Sequence, residues 1–169
     1  AVHGHVASLL LGGPDVSRYA AGLASAGADL VYVAADDALA TYNMEAYTGT
    51  LVDAIRAYQP YAVLLPSTLG GREAAARVAA RLSLGLTGDC IGLEVDGEGR
   101  LVQMKPAFGG NVVAPILSRT TPAMLTIRPG LLERLEPNGT RRVPVRLLPV
   151  AAPANPAVRL IAFHPQEAA

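Results

Sequence analysis

The stretch LLPSTLGGRE, residues 64–73, ends an apolar run with two hydroxyls (Ser67, Thr68), two glycines (Gly70, Gly71) and the basic side chain of Arg72. A strand feeding a helix at such a junction presents unpaired backbone N–H groups and the positive end of the helix dipole, which together can hold a phosphate. The same residues admit a second reading, in which Ser67 or Thr68 caps the helix and the glycines permit close packing. No Gly-Lys-Ser/Thr ends the junction, so it is not a P-loop, and the three spaced glycines of the dinucleotide fingerprint are missing. Spacing alone favours the cap and leaves the phosphate open.

The second stretch of interest is QMKPAFGGNVVA, residues 103–114, where Lys105, Pro106, Phe108, Gly109, Gly110 and Asn111 interrupt two strand-like runs. Glycines at such a place imply a bend or the close approach of another backbone. With Arg72 and Arg128 this stretch is expected to form a surface that meets a partner; the plainer reading is a kinked connection. LGGPDVS, residues 11–17, is a weaker candidate. It has the glycines of the S-G-G-x-D-S nucleotide loop, but Leu11 replaces the first serine and Val16 displaces Ser17, so a simple turn is predicted.

Other chemistry finds little support. The histidines at 3, 5 and 164 share no segment with a carboxylate at metal-ligand spacing, and no Gly-x-Ser-x-Gly elbow exists. Cys90 follows Asp89 in a predicted strand, where burial would raise its pKa, and reads as a packed thiol. A single cysteine excludes an internal disulfide or a zinc cluster and suits a reducing compartment, so the cytoplasm is expected. No catalytic residue and no metal ligand is assigned, and a bond-making active site is not expected.

These residues must be positioned by a fold, and 169 residues suffice for one full hydrophobic core. Lys plus Arg and Asp plus Glu both total 14, so no net field favours nucleic acid or an anionic membrane. No apolar run reaches the roughly 18 residues of a membrane helix, and the first residues lack the pattern of a secretion signal. Aromatics are scarce while Ala, Val and Leu abound, a palette suited to helix-covered parallel sheets.

HVASLLLG (5–12), ADLVYVAAD (28–36) and YAVLLPS (61–67) read as strands. Between and after them, three helices are predicted. The first has Asp15 as cap and Gly27 as its end. The second carries Tyr47, Leu51, Ile55 and Tyr58 on one face and stops at Pro60. The third buries Ala75, Val78, Ala79 and Leu82, with Glu73 four residues before Arg77. This alternation predicts an α/β domain with parallel strands. After Gly85 the pattern turns β-rich: DCIGLEV and the run after DGEG predict a hairpin, and NVVAPILS and AMLTIRPG predict further strands. A boundary is placed at residue 136, because residues 137–169 hold six of the 13 prolines and read as a surface segment or a bridge.

The region from LLPSTLGGREAAARVAARLSLG through LTGDC, KPAFGGN and TIRPG (64–130) resembles the N-terminal domain of the α subunit of electron transfer flavoproteins, with Lys105 where Arg is commoner. AGADLVYVAADDALATYNMEAYTGTLVDAIRAYQPYAVLL extends the resemblance upstream. It implies a doubly wound, mostly parallel sheet of the adenine-nucleotide α-hydrolase-like, Rossmann-like type, with the β-rich second half beside it. Family members open with a further strand and helix, and that strand would lie centrally in the sheet.

The resemblance also implies a heterodimer with an electron transfer flavoprotein β subunit. FAD would sit in the complete heterodimer, mainly on a separate α-subunit domain toward which residues 137–169 lead, and would not bind tightly to this chain alone. AMP or a second FAD would belong to the β subunit. The role implied is that of an electron-carrier subunit, taking electrons from dehydrogenases to an acceptor oxidoreductase, in the bacterial cytoplasm or, in a eukaryote, the mitochondrial matrix. Arg72, Lys105, Phe108, Gly109, Gly110, Asn111 and Arg128 are then interface candidates. The alternative is a free-standing adenine-nucleotide-binding module of the universal-stress-protein type, whose Gly-rich ATP loop is not found.

Overall fold

Apolar runs closed by glycine or proline become strands: β1 (Ala7–Gly12), β2 (Leu30–Ala35) and β3 (Ala62–Pro66). The structure is a computed structural model that describes residues 4–153, 157, 158, 160–162 and 164. Between these strands lie α1 (Ala20–Ser25) and α2 (Met44–Tyr58), and α3 (Leu69–Leu82) follows β3. The cap predicted at Asp15 is not made. Arg18 draws the Asp15 carboxylate into an ion pair at 2.7 Å, and the chain passes through a short 3-10 turn, Val16–Tyr19, before α1 begins. Gly27, at φ 113°, ends that segment as predicted, in a conformation that favours glycine.

α2 begins where the Asn43 side chain accepts the N–H groups of Glu45 and Ala46, at 3.0 and 3.2 Å. It stops at Gln59, which turns left-handed at φ 44° just ahead of Pro60. Leu51, Val52 and Ile55 of α2 pack on Ala74, Ala75, Val78 and Ala79 of α3 in the largest core cluster. The alanines let the helices approach closely. Burying Val78 completely contributes about 1.5–3 kcal/mol. The Glu73–Arg77 pair forms along α3 at 3.1 Å.

The second half departs from the predicted hairpin in one respect. The predicted strand DCIGLEV (89–95) is divided: Asp89 and Cys90 end β4 (Leu86–Cys90) and β5 is Gly92–Val95, because Asp89 takes a left-handed turn at φ 61°. β4 stays with the parallel strands. β5, β6 (Leu101–Ala107) and β7 (Val112–Leu117) form an antiparallel sheet in that order. Asp96 fixes the turn before β6 by accepting the N–H groups of Glu98 and Arg100, both at 2.9 Å. β8 (Ala123–Ile127) then runs between β3 and β4, giving the parallel order β3-β8-β4.

The last strand, β9 (Val145–Leu147), lies parallel beside β2, giving the order β1-β2-β9. Residues 138–151 are tied along the body of the domain. Arg141 reaches the Ala28 carbonyl and the Asp29 carboxylate, Leu148 N–H donates to Val33 O at 2.8 Å, and Ala151 N–H donates to Thr50 Oγ1 at 3.1 Å.

Helices cover both faces of β1 and β2, as a doubly wound fold requires. Leu10 packs with the α1 cluster, whereas its neighbours Leu9 and Leu11 pack with α2 and α3. Val63 and Leu65 of β3 pack on that same α2–α3 cluster. Among the described residues, β1 pairs only with β2, and β3 only with β8. Among the described residues the parallel strands therefore form two sheets, β1-β2-β9 and β3-β8-β4.

Candidate functional site

In open α/β sheets, ligands and partners gather at the carboxyl ends of the strands. At the end of β3, Ser67 N–H donates to Ile127 O at 2.7 Å, and Thr68 caps α3, its Oγ1 accepting the Gly71 N–H at 3.1 Å. A Cβ on Gly71 would come 2.0 Å from the Pro66 carbonyl oxygen, so this glycine lets the first turn of α3 close on the strand before it. Of the two readings of LLPSTLGGRE the cap is the one realised, with Thr68 as the capping residue.

The Ser67 hydroxyl is turned to another use. It donates to Asp89 Oδ1 at 3.0 Å, joining the ends of β3 and β4. Asp89 N–H donates to the Oγ1 of buried Thr126 on β8 at 2.8 Å, and Arg128 holds both carboxylate oxygens, with Nε 3.2 Å from Oδ1 and a terminal nitrogen on Oδ2. Arg128 N–H in turn donates to Cys90 O at 2.9 Å. The hydrogen bonds of Arg128, that of Ser67 and the nearby charge of Lys105 hold Asp89 down at about 2, against the opposing effect of partial burial. Asp89 in return raises the Arg128 pKa. Cys90 is fully buried, and burial raises its thiol pKa, which agrees with a packed role.

Lys105, on β6, lies near enough to influence Asp89 and Cys90. Beyond it the chain makes the Phe108–Gly110 turn. Phe108 stands 83% exposed at φ 49°, followed by Gly109 and Gly110 at φ 69° and 93°. Asn111 closes the turn by donating its side-chain N–H to Phe108 O at 3.1 Å. Such a conformation costs a bulky residue on the order of 1 kcal/mol, and burial of the ring does not offset it.

The structure thus draws Arg128 and Lys105 together around Asp89 and extends the Phe108–Asn111 turn from the same strand as Lys105. Arg72, exposed on the first turn of α3, shares that end of the domain through the β3–α3 junction, but no hydrogen bond among the described residues ties it to Asp89 or Arg128. Asp89 and Thr126 were not among the sequence candidates, and Ser67 was one only as a cap or phosphate contact of the β3–α3 junction. The available signal was a charge between Gly88 and Cys90 inside an otherwise apolar run, which a continuous buried strand would not carry. Among the described residues no His, Cys, Asp and Glu group could hold a metal, and no helix is long and apolar enough to cross a membrane. Three cations and an exposed aromatic suit an oxyanion-bearing or aromatic-binding partner surface.

The family described as the electron transfer flavoprotein domain matches residues 1–153. The chain is 40% identical over 138 residues to an electron transfer flavoprotein subunit alpha of Thermoanaerobacterium thermosaccharolyticum, covering 81% of this chain and 42% of that protein. It is 42% identical over 130 residues to a protein FixB of Azorhizobium caulinodans, covering 75% and 35%. Over 129 residues it is 40% identical to the lactate dehydrogenase (NAD(+),ferredoxin) subunit LctC of Acetobacterium woodii, covering 76% and 31%. The chain spans about two fifths or less of these relatives. With the α/β architecture and the motifs of residues 64–130 in place, the chain belongs to the electron transfer flavoprotein family, on its α-subunit side.

Proposed function

We propose that this chain is the N-terminal scaffold of an electron transfer flavoprotein α subunit, and that it docks a β subunit through the Arg128, Lys105 and Phe108–Asn111 end of the domain. One observation carries the reading: an aromatic ring is displayed to solvent on a strained turn beside a fixed cluster of charges, an arrangement that contributes little to this chain alone and suits a partner. The larger protein would carry electrons from dehydrogenases to an acceptor oxidoreductase in the bacterial cytoplasm. Residues 137–169 would lead toward a flavin domain, with AMP or a second FAD on the partner subunit.

The β3–α3 junction does not fit the phosphates of FAD. The Gly71 N–H is taken by Thr68, and the space that glycine opens is filled by the Pro66 carbonyl. The domain's part is therefore to dock and to wall off, excluding water from one side of a flavin held elsewhere, and no chemical step is assigned to its residues.

Co-expression with the β subunit tests this. Phe108→Ala and the charge reversal Arg72→Glu should each weaken the complex by about tenfold or more, lower its flavin content, and leave the melting temperature of the isolated chain unchanged. Phe108→Gly should weaken the complex equally while raising stability by about 1 kcal/mol, through relief of the left-handed strain. Full assembly and flavin content with both Arg72→Glu and Phe108→Ala would count against the docking face.

A further inference from the structure

We propose that Asp89 is a positioning residue, which fixes the Arg128 guanidinium so that its remaining N–H donors face an oxyanion on the docked partner. This rests on the docking face proposed above. The geometry comes from three strand ends. Ser67, just past β3, donates its hydroxyl to Asp89 Oδ1 at 3.0 Å, and the Asp89 N–H donates to Oγ1 of Thr126 on β8 at 2.8 Å, so the carboxylate has a fixed place. Arg128 is gripped twice, by its backbone N–H on Cys90 O at 2.9 Å and by its side chain on the carboxylate.

A guanidinium has five N–H donors in a rigid plane. The edge made by Nε and one terminal nitrogen is occupied by Asp89, and the Arg128 side chain is 49% exposed. The other terminal nitrogen is left outward in a defined orientation. That geometry matches a carboxylate or a phosphate oxygen, and charge-assisted bonds to such groups are the stronger kind. Asp89 neutralises Arg128, but Lys105 lies close to the same carboxylate and keeps the local charge positive. The left-handed backbone of Asp89, at φ 61°, is a strained choice for a non-glycine residue, and its carboxylate is what it places.

A purely structural ion pair would stabilise the fold and nothing more. The test is a double-mutant cycle on the co-expressed complex, measuring partner affinity and its dependence on ionic strength for Asp89→Asn, Arg128→Ala, Arg128→Lys and the double variant Asp89→Asn/Arg128→Ala. Asn retains the left-handed conformation, so Asp89→Asn remains folded. Expected are about tenfold losses for Asp89→Asn and for Arg128→Ala, no further loss in the double variant, and incomplete rescue by Arg128→Lys, which keeps the charge but not the fork. An equal loss from Asp89→Asn with and without Arg128, or full affinity in Arg128→Ala, overturns the proposal. If Arg128→Ala binds fully while Phe108→Ala does not, the positioning role fails and the docking face stands; if neither weakens binding, the docking face fails with it.

Discussion

Arg128, one residue past β8, closes on Asp89, near the end of β4, with Nε 3.2 Å from Oδ1. The contact locks two neighbouring parallel strands at their carboxyl ends, and Ser67 brings in the third. Its pH dependence follows from the sign of the shift. Asp89 is held at about 2, below its ordinary 3.8, so its contribution to stability is fully present above about pH 4 and is lost as pH falls through about 2. Asp89→Asn should lower unfolding free energy at neutral pH by about 1 kcal/mol, a figure kept small by solvent screening. In urea titrations the gap between wild type and variant should close between about pH 4 and 2; a constant gap would show that the carboxylate charge is not what stabilises.

The two glycines of the β3–α3 junction should respond oppositely to alanine. At Gly71 a Cβ would meet the Pro66 oxygen at 2.0 Å, whereas at Gly70 it would touch the Tyr42 ring at 3.6 Å, an ordinary contact. Gly71→Ala should cost about 2 kcal/mol or more. Gly70→Ala should be neutral or stabilise by about 0.5 kcal/mol, since alanine loses less backbone freedom in a helix. Thermal melts of the two variants, compared side by side, check this.

Gln103 on β6 is fully buried, and neither end of its amide finds a hydrogen-bond partner among the described residues. Burying such a group unpaired costs about 1–3 kcal/mol. Gln103→Met, of similar length, should therefore raise the melting temperature. A fall of several degrees would mean that the amide is satisfied in solution, as by a bound water.

Among the described residues β1 and β3 pair on one side only, while β2 and β8 are flanked on both. Hydrogen exchange should divide the strands accordingly. Alternate amides of β1 and β3 should exchange on the order of 100-fold faster than those of β2 and β8, unless a further strand pairs with their open edges. Uniform protection of all four strands in a monomer of this chain would show the edges to be closed.

Much of this architecture was legible from local pattern. The apolar runs at β1, β2 and β3 and the stops at Gly27 and Pro60 lie where sequence puts them, because strand and helix periodicity and backbone restrictions act over a few residues. The cap at Thr68 is one of the two that the hydroxyls of residues 67 and 68 allow. The misreadings have one cause: competition from a partner that sequence does not reveal. Asp15 has the right chemistry for a cap but is taken by Arg18. DCIGLEV reads as one strand but is divided between two sheets, because Asp89 turns left-handed to meet groups 22 and 39 residues away.

By itself the sequence determined the alternation of strands and helices, the Leu51 and Ile55 centre of the α2 face though not exposed Tyr58, and the family, since each depends on residue type and short-range spacing. The tertiary structure alone decided that the Ser67 hydroxyl donates to Asp89, that Gly71 makes room for a carbonyl, and that Arg128 is paired while Phe108 stands exposed. Those outcomes depend on which strand ends are brought together, and a chain fixes that only when its core closes.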